Sequence, residues 1–243
     1  MAKHRTTTGH QNHRLESLQS MGPFAQRSWI AALVELSIAI LFIALAALGK
    51  IPTPTIPLFL LAWLSLWLRK TSWKRIGLSL PERWKPLILL AILIGSLYQL
   101  MSIFILVPFV QTVTGKTVDL SQFEPLQNNV PLLLTGLILT WTLAAFGEEM
   151  VFRGYLLNRV VDLFQNNGLG WVVAVLITSS LFGLAHLPQG LPGLVDNVFM
   201  GAVMAMLYLN SHKNLWLPIL THGIIDTIGF TLIFLGYYAS PAG

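Results

Sequence analysis

The chain has 243 residues, 54% of them hydrophobic and 10% charged, and it contains no cysteine. Soluble domains carry about 25% charged residues, so this composition excludes intrinsic disorder and argues against a freely soluble globular protein. The missing cysteine excludes disulfides, thiolate zinc sites and cysteine nucleophiles. A net charge of +5 and a pI near 9.7 would suggest nucleic acid in a soluble protein. With a mean hydropathy of +0.68, the position of the basic residues matters more than their sum.

Residues 1–27 are polar, with four basic residues and the histidines His4, His10 and His13. They read as a cytoplasmic tail whose histidines are solvated, metal binding being the lesser alternative. No apolar core with a small-residue cleavage site follows, so the tail is not read as a signal peptide. Apolar stretches then occupy about 28–49, 56–68, 87–110, a span from Pro131, 170–185, 194–209 and 215–238. The second is short and opens on Pro52, Pro54 and Pro57. Most of these stretches have the length a bilayer span needs, and none alternates as a barrel strand would. The expected fold is all-α, a polytopic membrane helix bundle of about seven or eight transmembrane helices.

The basic residues distribute unevenly. Four lie in the tail, six lie in the 69–85 loop, and Arg153, Arg159 and Lys213 follow even-numbered spans. Only Lys50 and Lys116 remain for the other side. This bias predicts a cytoplasmic N-terminus in the cell membrane. It reassigns the basic charge to topology and to contact with anionic lipids, with no nucleic-acid partner.

The informative residues are ionisable groups within apolar spans, where each costs about 2.5–3.5 kcal/mol on insertion scales and therefore tends to serve a function. Glu148, Glu149 and Arg153 follow an apolar run. Glu149 and Arg153 share a helix face with the glutamate on the favoured N-terminal side. Glu148, about 100° round the helix, lacks that partner and is a candidate general base. A helix end reaching the interface would carry the same residues without a catalytic role. His186 lies two residues before Pro188, where a helix is expected to break; the bland reading is a hydrogen-bonded core histidine. His222 and Asp226 are four apart, aimed at one target or at each other. Asp196 is expected as a charge in the first turn of the sixth span. Glu35, in the first span, is expected to pair with another helix.

Taken in order, Glu148-Glu149-x-x-x-Arg153, Phe182-x-x-x-His186 and His222-x-x-x-Asp226 resemble the CPBP intramembrane proteases. That family includes type II CAAX prenyl endopeptidases, lysostaphin-resistance-protein-A-like proteins and Abi self-immunity proteins. The resemblance covers about residues 130–238. It implies a division into a polar tail at 1–27, N-terminal helices and loops at 28–129, a CAAX-protease-like catalytic domain at 130–238 and a short tail at 239–243.

It further implies an endopeptidase with an intramembrane catalytic cavity, acting on a membrane-associated peptide or a prenylated protein. Glu148, aided by His186, would activate water. Glu149 and Arg153 would support the site, His222 and Asp226 would steady the oxyanion or bind metal, and Phe182 would line the substrate cavity. Many family members have asparagine at the position of Asp226, and an ionised aspartate cannot donate to an oxyanion. A zinc site drawn from Glu148, His186, His222 and Asp226 is chemically possible. The chain lacks a His-Glu-x-x-His helix, and the preferred reading is a glutamate base without resident metal. A non-proteolytic scaffold or immunity factor, or a proton-coupled transporter, are the rival readings.

For Glu148 and His186 to meet, the fourth helix must run from Pro131 to about Val161, roughly 46 Å at the α-helical rise. The segment from Pro188 to Pro192 must also turn inward.

Overall fold

A computed structural model of the chain describes residues 29–164 and 167–237, so the terminal tails lie outside the described residues. Seven apolar helices form the bundle, with no strand among the described residues. They are α1 (Trp29–Ala47), α2 (Thr55–Leu68), α3 (Trp84–Thr114), α4 (Val130–Leu163), α5 (Gly168–Ala185), α6 (Gly190–Asn210) and α7 (Trp216–Phe234). All but α2 are long and apolar enough to cross a bilayer, α6 together with the turn before it. With 14 residues, α2 falls short of a full span.

Local chemistry sets the ends and irregularities. Asn129 caps α4 by accepting the Leu132 amide at 3.2 Å, and Asn167 caps α5 by accepting the Gly170 amide at 2.7 Å. Within α3, Pro108 cannot bond back to residue 104 and its ring crowds that carbonyl. The helix widens into a π segment at Ser102–Leu106 just before it. Gly77, with φ +111°, lets its carbonyl accept the Leu215 amide at 3.0 Å, while a Cβ there would sit 2.2 Å from the Lys213 carbonyl oxygen. That contact ties the 73–78 loop to the turn between α6 and α7.

Outer faces are apolar, with Trp63, Trp67, Phe104, Phe109 and Leu176 exposed, as hydrocarbon contact requires. Inside, α5 packs along α6 and α7 along α3. The α5–α6 contact is very close: a Cβ on Gly183 would lie 2.3 Å from Val198, and one on Gly201 would lie 3.0 Å from the Ser179 Cα. Small residues let membrane helices approach in this way.

The fourth helix runs on for 34 residues, about 50 Å at 1.5 Å per residue. It therefore exceeds a hydrocarbon core of about 30 Å. Two π segments, Thr140–Glu148 and Met150–Leu156, lie within it. Its continuity corrects the placement of Arg153 and Arg159, which lie inside α4 and are buried, not beyond its end. Arg69 is likewise nearly enclosed.

Glu35 explains two of these arginines. Its carboxylate meets Arg69 Nη1 and Arg159 Nε, each at 2.7 Å, and accepts the Tyr155 hydroxyl at 2.8 Å and the Ser65 hydroxyl at 3.1 Å. Arg159 also pairs with Asp162 at 3.0 Å, and Arg69 reaches the Ser65 hydroxyl. The expectation that Glu35 pairs across helices holds, with partners on α4 and at the end of α2.

Candidate active site

A cavity of about 800 Å³ opens between α3, α4, α6 and α7. Glu148, His186, His222 and Asp226 all line it, so residues far apart in sequence reach one space. Pro188, Gln189 and Gly193 line it too, because α5 ends at Ala185 and a 3₁₀ turn at Leu187–Gln189 leads directly into α6.

The wide turns of α4 place the paired glutamates. Glu148 Oε1 accepts the Thr55 hydroxyl at 3.1 Å, and its Oε2 is buried with no hydrogen-bond partner among the described residues. Thr55 can stand this close because position 147 is glycine: a Cβ there would lie 3.0 Å from Thr55 Cγ2. The N-terminal helices, which carry no motif, thus supply a direct partner of the candidate base. Glu148 shares the cavity wall with His186, His222 and Asp226.

Glu149 does not line the cavity and is fully buried. Its Oε1 accepts Arg153 Nη1 at 2.7 Å and His222 Nδ1–H at 2.8 Å. Arg153 donates its other terminal nitrogen to the Gly201 carbonyl at 3.2 Å, and its guanidinium lies 4.5 Å from the Phe182 ring centroid. Neither Glu149 nor Arg153 lines the cavity. Expected among the catalytic residues, they stand one layer behind, where they fix the imidazole of His222. With Nδ1 held, His222 presents Nε2, which is 3.4 Å from Asp226 Oδ2. His186 donates Nδ1–H to the Phe182 carbonyl at 2.9 Å, and its Nε2 then carries the lone pair in the neutral ring.

Two expectations are corrected. Phe182 does not line the cavity; it is fully buried behind it, edge-on to Phe152 at 5.0 Å and beside the His186 and His222 rings. Phe152 takes the wall position instead, because the aromatic at 182 faces the α4 side of the α5–α6 pair. Asp196 is not in a first turn, since α6 begins at Gly190 and the aspartate sits nearly two turns in. There it lines the cavity and accepts the Tyr98 hydroxyl at 3.0 Å. Sequence reading also missed Thr55 and Tyr98, which are ordinary helix residues until their partners are known.

For a metal, the donor types are suitable and the spacing is not. The two Nε2 atoms are the nitrogens left for an ion, but that of His222 faces the Asp226 carboxylate. Among the described residues no three His, Asp or Glu side chains are spaced to hold one ion.

Outside the membrane, the α3–α4 loop closes one end of the cavity through Val118, Leu120 and Phe123. The Ser121 hydroxyl and amide, at 2.6 and 3.0 Å, hold the Asp119 carboxyl below the usual carboxylate range and shape this loop.

Residues 129–228 match the family model described as type II CAAX prenyl endopeptidase Rce1-like. No significant match was found among curated proteins or among solved structures. The match spans α4 to most of α7, the helices that carry every motif residue of the cavity. Alongside six helices long and apolar enough to cross a bilayer, this chain therefore carries an Rce1-like (type II CAAX prenyl endopeptidase) domain at residues 129–228.

Proposed function

We propose that the protein is a membrane endopeptidase in which Glu148 is the base and His222 the oxyanion donor. The observation that carries this reading is the convergence of Glu148, His186 and His222 on one cavity, with Glu148 Oε2 buried and without a hydrogen-bond partner among the described residues. Glu148 takes a proton from water, and the hydroxide adds to the scissile carbonyl carbon. The resulting oxyanion accepts His222 Nε2–H, held in place by Glu149 and Arg153. The carbon–nitrogen bond then breaks, and the departing amine receives the proton from Glu148 by way of His186. Asp226 acts through His222, keeping Nε2–H turned to the cavity. In this scheme the substrate is a peptide of the membrane surface, prenylated or not, and the N-terminus is cytoplasmic in the cell membrane.

Glu148→Gln keeps the shape and removes the base. Membrane peptides compared by mass spectrometry with wild type and variant should show cleavage falling about 10²–10⁴-fold. Full retention of cleavage would overturn the mechanism. Wild-type activity should survive chelation, and loss restored by added zinc would require a metal instead.

A further inference from the structure

The proposed chemistry leaves one carboxylate on the cavity wall unused. Asp196 faces the same space as Glu148, His186 and His222. It is not a stray charge. The Tyr98 hydroxyl donates to its Oδ1 at 3.0 Å and lies 2.8 Å from its backbone oxygen, so a buried residue of α3 fixes its orientation. Among the described residues lining the cavity there are three acids, Glu148, Asp196 and Asp226, and no lysine or arginine. No lysine or arginine on the wall pairs with Asp196 among the described residues, and apart from the imidazoles of His186 and His222 the rest of the polar lining is uncharged amide and hydroxyl.

From this we infer that Asp196 determines specificity: it receives a basic side chain of the substrate peptide, next to the bond cleaved. An anion in an apolar cavity is costly until paired. A peptide bringing a lysine or arginine supplies that pair, whereas a glutamate or a free carboxyl group near the bond meets like charge. The inference rests on the endopeptidase reading for the word substrate, but the selection itself is a property of binding and is testable without turnover.

The test uses full-length Glu148→Gln protein in nanodiscs of zwitterionic lipid, which removes attraction to an anionic surface. Three apolar peptides, identical but for one Lys, Gln or Glu, are titrated and their binding is measured by photocrosslinking. The Lys peptide should bind at least about tenfold tighter than the Gln peptide, and the Glu peptide weaker than both. Adding Asp196→Asn keeps an oxygen for Tyr98 and removes the charge, so the Lys-to-Gln ratio should fall to within about threefold. Tyr98→Phe keeps the charge and releases it, and should lower the ratio without abolishing it. Equal binding of Lys and Gln peptides, or a preference that persists in Asp196→Asn, would overturn the inference and leave Asp196 as a clamp between α3 and α6. If Glu148→Gln protein cleaves the peptides as wild type does, the catalytic reading fails while the binding preference still stands or falls on its own.

Discussion

Two clusters of buried charge sit on α4, and they differ in balance. Around Glu35, two carboxylates (Glu35 and Asp162) face two guanidiniums (Arg69 and Arg159), with Tyr155 and Ser65 donating to the same glutamate. None of these residues lines the cavity. Around Glu148, three carboxylates (Glu148, Glu149 and Asp226) face one guanidinium and two imidazoles, and oxygens of both glutamates remain without a hydrogen-bond partner among the described residues. The first cluster is neutral and closed, and it holds α1, α2 and α4 together. The second holds more carboxylates than guanidiniums and lies beside open space, with the imidazoles of His186 and His222 on the same wall. Charge inside a membrane protein is therefore not sufficient to mark a candidate site; what separates the two clusters is whether the charge meets a cavity.

Removing a partner from the closed cluster should cost folding and little else. Arg159→Met leaves Glu35 and Asp162 short of a cation and should destabilise the protein by about 3–5 kcal/mol, read by steric trapping in bicelles, while cleavage per folded molecule stays near wild type. A large loss of turnover with normal stability would erase the distinction between the clusters. In the open cluster, Glu149→Gln should act in the opposite sense. Stability changes less, but His222 loses its ionised partner and turnover falls about 10–100-fold, as for other residues that orient a reacting histidine. Because Glu149 positions and does not react, its variant should also shift the pH profile of kcat, which a purely structural role would not do. The smallest effect is expected at the border with the N-terminal helices. Thr55→Val removes one hydrogen bond to Glu148, worth about 0.5–1.5 kcal/mol, and should lower kcat about three- to tenfold with KM unchanged. No change in kcat would place Glu148 under the control of α4 and α7 alone.

Much of this architecture is legible in the amino-acid order. Spans follow from runs of apolar side chains, and the motif pairs Glu149/Arg153, Phe182/His186 and His222/Asp226 follow from helical spacing, which brings residues four apart to one face. Pro131 and Pro188 sit where helices start and stop. The partners of Glu35 were not legible, because Ser65 and Tyr155 lie 30 and 120 residues away. Arg153 and Arg159 read as flanking cations when charge is counted by local windows, and only the requirement that Glu148 meet His186 pointed to a helix running past them. Phe182 read as a cavity residue because spacing gives a face, not the neighbour that face meets.

Composition and local periodicity by themselves determined an all-α membrane bundle and singled out the residues that hydrocarbon would exclude, since both depend on the free energy of individual side chains and short helices. Tertiary packing alone decided which charges are closed off among partners and which face the cavity. That outcome depends on which helices lie side by side: α1 and α2 close the Glu35 cluster, while α3, α6 and α7 meet α4 around an open space. There Thr55 and Tyr98, unremarkable in sequence, become the residues that hold Glu148 and Asp196 to the cavity wall.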